Sequence, residues 1–545
     1  MPDLHNANIA RFLSMMAASD PQAAAIKIPR GRLADKQIDY LSLSFAELDE
    51  EVSAWSYHLL NCGVKRSDRT LVMVKPGLPL IACVFALFRI GSIPVVIDPG
   101  MGIKNFLNCV SHTQPRALVG IPIAQILSRL FIPSFKSVKV RINVSGSLTA
   151  QLRTKIYKRA SAESAPANNA SSDLAAILFT SGSTGAPKGV SYEHGMFDAQ
   201  VKLLKNTYGF RPGEVDLPLL PIFALFDPAL GMTAVIPELN PSKPAKADPA
   251  KLVQAILQQK VTSSFGSPTL WGLISEYCKK EKITLPTLKR VLCAGAPVPS
   301  SLWEDSVSFI PNGLMHSPYG ATESLPVSSI NRIDKSTLLG VRGACVGKPI
   351  EGMQVKIIPI EDGAIEELGA TQSLATNQIG EIIVSGPVVT KEYDRKPEAT
   401  RMSKIKDAGN IWHRMGDCGF IDPEGNLWFC GRKVERVTSI QGPYFTEPCE
   451  RVFKLHPRVT RCALIGLGEA QKQTPALVVE LEVSDKAEAL ILAKELKALA
   501  TTYIPDVPIS KFYFKNHFPV DVRHNAKIHR LTLARWAKEQ IGFSV

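Results

Sequence analysis

The sequence predicts an α/β protein: a large N-terminal domain with parallel and mixed sheets, a β-rich subdomain, and a small C-terminal α/β domain. Three observations predict it. Short apolar, β-rich runs alternate with helical patterns through most of the chain, the order expected of parallel sheets joined by crossover helices. After about residue 340 that texture gives way to short runs set between Gly, Pro and Asp. The 545 residues also exceed what one core can hold, since single cores stop growing at roughly 250–300 residues.

In chain order, residues 70–74 read as a strand and 80–88 as a buried helix, followed by a core strand at 93–97, a helix at 103–109 and a strand at 117–121. The most apolar segment, 78–97, is broken by Arg89 and Pro94 before it reaches the roughly 20 residues that cross a bilayer. Residues 160–173 are small and polar and read as a loop. Strands follow at 175–179, 263–265 and 291–293, then hairpin strands near 355–359, 380–384 and 427–429. Beyond Arg432 come strands near 461–465 and 476–481 and a helix near 486–500. No repeat of 20–50 residues is present in the sequence.

The chain carries 63 basic and 50 acidic side chains, a net charge of +13. A nucleic acid, an acidic membrane or an anionic substrate would each suit that excess. The Lys and Arg residues are spread out, and no basic-aromatic stripe marks a nucleic-acid site. From Arg432 onward there are 18 basic and 12 acidic side chains, nearly half of the excess. The ten cysteines form no Cys-x-x-Cys pair and sit mostly in apolar stretches, which points to buried free thiols rather than disulfides or a zinc site. The N-terminus does not read as a signal peptide, because Asp3, His5 and Arg11 interrupt it. A cytoplasmic protein is expected, with contact at a membrane surface left open.

The most informative segment is TSGSTGAPKG at residues 180–189, entered directly from an apolar strand. Its glycines let backbone N–H groups approach an anion, its hydroxyls add donors, and Lys188 adds a positive charge. This is chemistry for a polyphosphate. A Walker loop would need glycine five residues after Gly182, where Pro187 stands, and no G-x-G-x-x-G is present there.

Residues 180–189 resemble the phosphate loop of the adenylate-forming superfamily of acyl-CoA synthetases, luciferases and peptide-synthetase adenylation domains, and further motifs follow in that family's order across about residues 40–530. The resemblance implies ATP and Mg²⁺ as cofactors, a mobile C-terminal lid, and a division into a domain to 431 and a lid at 432–545. It assigns Thr180, Ser181, Gly182, Ser183, Thr184, Gly185 and Lys188 to the phosphates, and Gly295, Ala296 and Pro297 to the adenine. Tyr319 and Gly320 lie in the motif that stacks on adenine, Thr322 would meet the α-phosphate, and Glu323 would carry Mg²⁺. Asp417 would bind the ribose, Arg432 opens the hinge, and Lys527 is the adenylation lysine. The physics agrees: a carboxylate and an α-phosphate repel, and cations must bring them together.

Departures narrow the choice. Val434 stands where thioester-forming relatives place Asp or Lys, Val437-Thr438 where they place Ile-Lys, and Ala526 where Gly usually precedes the lysine. The acyl-pocket region, residues 221–231, lacks the histidine common in acyl-CoA synthetases. Residues 223–230, Asp216-Leu-Pro, residues 265–268 and residues 522–527 together are similar to the β-lactone synthetases of bacterial long-chain olefin biosynthesis. That resemblance implies ATP-dependent activation of a 2-alkyl-3-hydroxy fatty acid and closure of a β-lactone, beside a thiolase-like enzyme, a reductase and a hydrolase. Phe223, Phe226 and Leu230 would line the pocket; Asp227, a carboxylate among apolar residues, would order the loop or meet the hydroxyl. His194, His413 and His524 are further candidate bases. The alternatives are a long-chain acyl-CoA or acyl-carrier ligase, a free-standing amino-acid adenylating enzyme, a non-catalytic adenylate-binding module, and a basic nucleic-acid- or membrane-binding protein.

Overall fold

The computed structural model describes residues 6–144, 166–180, 187–240, 243–336, 342–520 and 528–545. The chain divides into two compact units, one of Met1–Val327, Ile350–Gly352 and Gly386–Lys404, the other of Ser328–Pro349, Met353–Ser385 and Ile405–Val545.

The first unit holds a six-stranded sheet in the order Val140–Asn143, Ala117–Gly120, Arg69–Met73, Ile93–Ile97, Leu174–Thr180, Lys188–Glu193. Its first five strands are parallel and the last is antiparallel to its neighbour. The helix Leu78–Arg89 makes the first crossover. It is buried on all sides, as expected of a helix apolar all round. The expected strands and helices at 70–121, 175–179, 263–265 and 291–293 are all present, each within a few residues. Residues 166–173 form neither helix nor strand; the start of that expected loop lies outside the described residues.

A second sheet of this unit runs Ile38–Ser44, Ala24–Arg32, Thr233–Val235, Val215–Asp216, Ser263–Gly266, Arg290–Cys293, Leu314–Ala321. Past the N-terminal hairpin its pairings are parallel. Helices Pro268–Glu281 and Ser300–Phe309 make two of the crossovers. Ser267 begins the former by accepting from the Leu270 N–H at 3.4 Å. One apolar core, with Trp55, Phe85, Leu87 and Val190 fully buried, draws on both sheets.

In the second unit Gln354–Ile358, Gly380–Ser385, Asn410–Ile421, Leu427–Arg432 and Ala344–Pro349 form an antiparallel sheet in that order. The C-terminal part adds the sheet Cys462–Leu467, Thr474–Glu480, Lys511–Lys515, Phe543–Ser544, packed on the helix Lys486–Tyr503 through Leu492, Leu496 and Phe512. All ten cysteines are free, and only Cys62 is exposed. No helix among the described residues is long and apolar enough to cross a membrane.

Candidate active site

The phosphate-loop residues Ser181, Gly182, Ser183, Thr184 and Gly185 lie outside the described residues, as do Lys527 and His524. The strands that enter and leave that loop pair with Thr180 opposite Lys188. Thr180 and Lys188, the described residues on either side of that segment, therefore stand side by side on an antiparallel pair.

Thr322 and Glu323 form the tight turn between Leu314–Ala321 and Ser324–Asn331. The turn needs Gly320, because a Cβ there would sit 2.6 Å from the Ser324 carbonyl oxygen. Three groups hold the turn. The Tyr192 hydroxyl donates to the Thr322 carbonyl oxygen. Thr390 donates to the Glu323 carbonyl from its N–H at 2.9 Å and from its hydroxyl at 3.1 Å. The Tyr393 hydroxyl donates to Glu323 Oε1 at 2.7 Å. Behind them the buried Lys404 ammonium donates to the Thr390 carbonyl and, at 3.2 Å, to its hydroxyl. Burial lowers the Lys404 ammonium to about 7, and the Glu323 charge pulls it back up. Lys188 Nζ lies 4.7 Å from the centre of the Tyr393 ring. The structure thus brings Lys188 and Glu323 to Tyr393, with Thr322 beside Glu323 in the same turn and held by Tyr192.

Gly295, Ala296 and Pro297 follow the strand Arg290–Cys293 at its C-terminal end, the edge at which open parallel sheets bind ligands. Gly295 has φ +95°, a backbone conformation that suits glycine. Tyr319, half-buried, stands on the neighbouring strand Leu314–Ala321.

Phe223, Phe226, Asp227 and Leu230 line one cavity of about 60 Å³ with Asp216, Phe265 and Leu292. Phe223 stacks on Phe265 at 4.0 Å between ring centres. Asp227 is 3% exposed, and its Oδ2 has no hydrogen-bond partner. Burial, and then the nearby Asp216 charge, raise its carboxyl well above the ordinary range. Burial also raises Asp216, to about 7, although Ser263 and Arg290 oppose the shift. Arg290 is itself paired with Glu214, through NH2 at 3.2 Å. Two carboxyls in one apolar cavity cannot both ionise cheaply, so they share charge as a pair.

In the second unit Asp417 and Arg432 stand opposite each other on neighbouring strands, and their side chains pair at 2.6 Å. Buried Glu381 binds Arg414 at 2.7 Å and Lys433 at 2.9 Å, which ties the residue after Arg432 to the sheet. His413 is buried in the same sheet. His194, in the first unit, is buried, and its Nδ1 accepts from the Ile9 N–H at 3.3 Å. Burial lowers it to about 4, which disfavours its charged form.

Tyr192, Thr390, Tyr393 and Lys404, and the pairing of Asp216 with Asp227, enter the site through the structure rather than through a sequence motif. Asp216 carried the same cue as Asp227, an acid inside an apolar run. The others lie far in sequence from the turn they hold, and nothing local marks them.

A family model described as "AMP-binding enzyme" matches residues 17–394. The chain belongs to the AMP-binding enzyme family. This AMP-binding enzyme is 41% identical to an olefin beta-lactone synthetase of Xanthomonas campestris pv. campestris over 98% of each chain. It is 40% identical to the olefin beta-lactone synthetase of Stenotrophomonas maltophilia, again over 98% of each. Its fold is similar to that of ATP-bound MatB from Rhodopseudomonas palustris, with TM-score 0.79 and 22% identity over 98% of this chain and 99% of that one. It is an adenylate-forming ligase.

Proposed function

We propose that this AMP-binding enzyme activates a 2-alkyl-3-hydroxy fatty acid with ATP and closes it to a β-lactone, releasing AMP and pyrophosphate. The observation that carries this reading is the Asp227 carboxyl, whose Oδ2 has no hydrogen-bond partner, in an apolar cavity beside Asp216. An apolar acid needs no such group. A substrate that brings its own hydroxyl to the cavity does. The names of the two relatives at 40–41% identity agree with it.

In the first step a carboxylate oxygen of the acid attacks the α-phosphorus of ATP and pyrophosphate leaves. Lys188, the phosphate loop and Lys527 would offset the charge that gathers there. Glu323 fits a Mg²⁺ site: Tyr393 holds one carboxylate oxygen, and no other side chain among the described residues donates to the group. Mg²⁺ commonly takes one or two protein carboxylates with phosphates, and bound there it would supply Lewis-acid charge to the phosphates. In the second step the 3-hydroxyl oxygen attacks the acyl carbon and the bond from that carbon to the AMP oxygen breaks. The hydroxyl proton passes to the carboxylate of the Asp216–Asp227 pair. The nucleophile is already tethered to the electrophile, and such tethering is worth effective molarities of ~10⁵ M or more, which offsets ring strain. Asp417 and Arg432 would meet the ribose, and the segment from Arg432 onward would act as the lid. A hydrolase and a reductase of olefin biosynthesis would then act on neighbouring intermediates.

The test is an incubation with ATP, Mg²⁺ and a racemic 2-alkyl-3-hydroxy acid, without coenzyme A. AMP and a β-lactone are expected in equal amounts. If AMP forms only when coenzyme A is added and the product is a thioester, the lactone reading fails and the acyl-CoA ligase reading replaces it.

A further inference from the structure

The helix Pro122–Leu130 is turned inside out. Its buried residues are Ala124, Gln125 and Ser128. Gln125 donates to the Ile142 carbonyl oxygen at 2.8 Å, and Ser128 donates to that of Gln125 at 2.8 Å. Its solvent face carries Ile123, 54% exposed, Ile126, 51%, and Leu130, 69%, followed by Phe131 and Ile132, the latter 66% exposed. Single exposed apolar residues are ordinary. Five large ones within ten residues, on a helix that hides its polar side, are not.

The charge around this face is equally one-sided. From Pro99 to Val144, all described, the chain holds no Asp or Glu, but it holds Lys104, Arg129, Lys136, Lys139 and Arg141, besides Arg116, which is paired with Asp68. The sequence continues without an acid to Ala162 and adds four more basic residues, so ten of the positive charges fall on this run. Arg129 lies one helical turn from Ile126 and beside Leu130 on the helix. Arg141 reaches back to the same helix, its Nε donating to Ser128 Oγ at 3.1 Å. Lys136 and Lys139 are exposed, and neither pairs with an acid among the described residues.

We infer that this face docks on an anionic lipid bilayer. An apolar helix face flanked by cations and free of acids is the composition of a helix that lies in a membrane interface, and anionic headgroups attract nearby Lys and Arg. A protein partner would have to be acidic to match the same rim, and nothing in the patch offers the paired polar groups of such an interface. The inference stands on surface composition alone and does not depend on the lactone reading.

The test is flotation of the full chain with vesicles of phosphatidylcholine, with and without phosphatidylglycerol. Binding to the phosphatidylglycerol vesicles, loss of binding at high salt, and little binding to phosphatidylcholine alone are expected. Lys136→Glu with Lys139→Glu should lower the partition at least about tenfold, and Ile126→Asp with Ile132→Asp should bring it to background. Thermal unfolding of both variants should match the parent, showing that the fold is intact. Equal binding to both vesicle types, or binding that neither variant changes, overturns the proposal. So does an absence of vesicle binding with a change in oligomeric state in the isoleucine variant, which would make the face an interface between copies of this chain.

Discussion

Asp227 carries an acid into a cavity whose walls are Phe223, Phe226, Leu230 and Phe265. Two carboxylates side by side in that cavity would cost several kcal/mol, so Asp227 and Asp216 hold one proton and one negative charge between them, which leaves the pair able to take up a proton. Asp227→Asn keeps the shape and removes the proton-transfer chemistry. It should lower β-lactone formation by about 100-fold or more while leaving ATP–pyrophosphate exchange, which reports adenylation alone, close to the parent rate. An equal fall in both would make Asp227 structural. Asp216 gives a pH signature. Its folded carboxyl titrates at about 7, above the ordinary carboxylate range. The stability it contributes is therefore full below about pH 4 and lost as pH rises through 7. Asp216→Asn should melt several degrees above the parent at pH 8, and that difference should close toward pH 4. A difference constant across that range would show that Asp216 is not buried as a neutral acid. Lys404 acts one step back from the chemistry, through Thr390, which holds the Glu323 backbone. Lys404→Met should raise the Mg²⁺ concentration needed for half-maximal exchange by about tenfold, roughly 1.4 kcal/mol, with the rate recovered at saturating Mg²⁺. Loss that no amount of Mg²⁺ restores would refute a positioning role.

At the level of elements, the crossovers were legible because their signals are local. The run at 80–88 is apolar all round and became the buried helix Leu78–Arg89; small β-rich runs became parallel strands. The helix Phe45–Asn61 carries an equally local signal. Ser44 and Glu47 form a capping box, Ser44 Oγ accepting from the Glu47 N–H at 3.2 Å and Glu47 Oε2 from the Ser44 N–H at 2.9 Å. Ser44→Ala should lower unfolding stability by about 1 kcal/mol, read as a lower urea midpoint with an unchanged slope, and no shift would show that packing alone sets that helix. What no local signal gives is the convergence at Glu323. Tyr192 reaches Thr322 from 130 residues before it, and Thr390 and Tyr393 reach Glu323 from 67 and 70 residues after it, so their roles follow from topology. The site motifs themselves were readable because each packs several rare choices into a few residues, as Gly320 shows by leaving no space for a Cβ.

Across the whole molecule two regions carry a local excess of positive charge. One is the acid-free run from Pro99 to Ala162; the other is the segment from Arg432 onward, with 18 basic and 12 acidic side chains. The second includes cations already committed to structure. Arg530 is bound to Glu450 at 2.7 Å and to Glu435 at 3.0 Å, and Lys433 to Glu381 at 2.9 Å. The Arg530 pairs fix the segment's own fold, the Lys433 pair ties it to the strand Gly380–Ser385, and all leave their charge neutralised, so they add little field at a distance. A carboxylate meeting an α-phosphate needs an uncommitted cation, and the family resemblance assigns that part to Lys527. If the lysine works by charge at the transition state, Lys527→Ala should lower adenylation by at least about 100-fold in ATP–pyrophosphate exchange. It should leave hydrolysis or cyclisation of a supplied acyl adenylate much less affected, because that step forms no bond to phosphorus. Lys527→Arg, which keeps the charge and changes its geometry, should recover only part of the loss. Parent-like exchange in Lys527→Ala would remove the lysine from the mechanism and shift the charge requirement onto Lys188 and the phosphate loop.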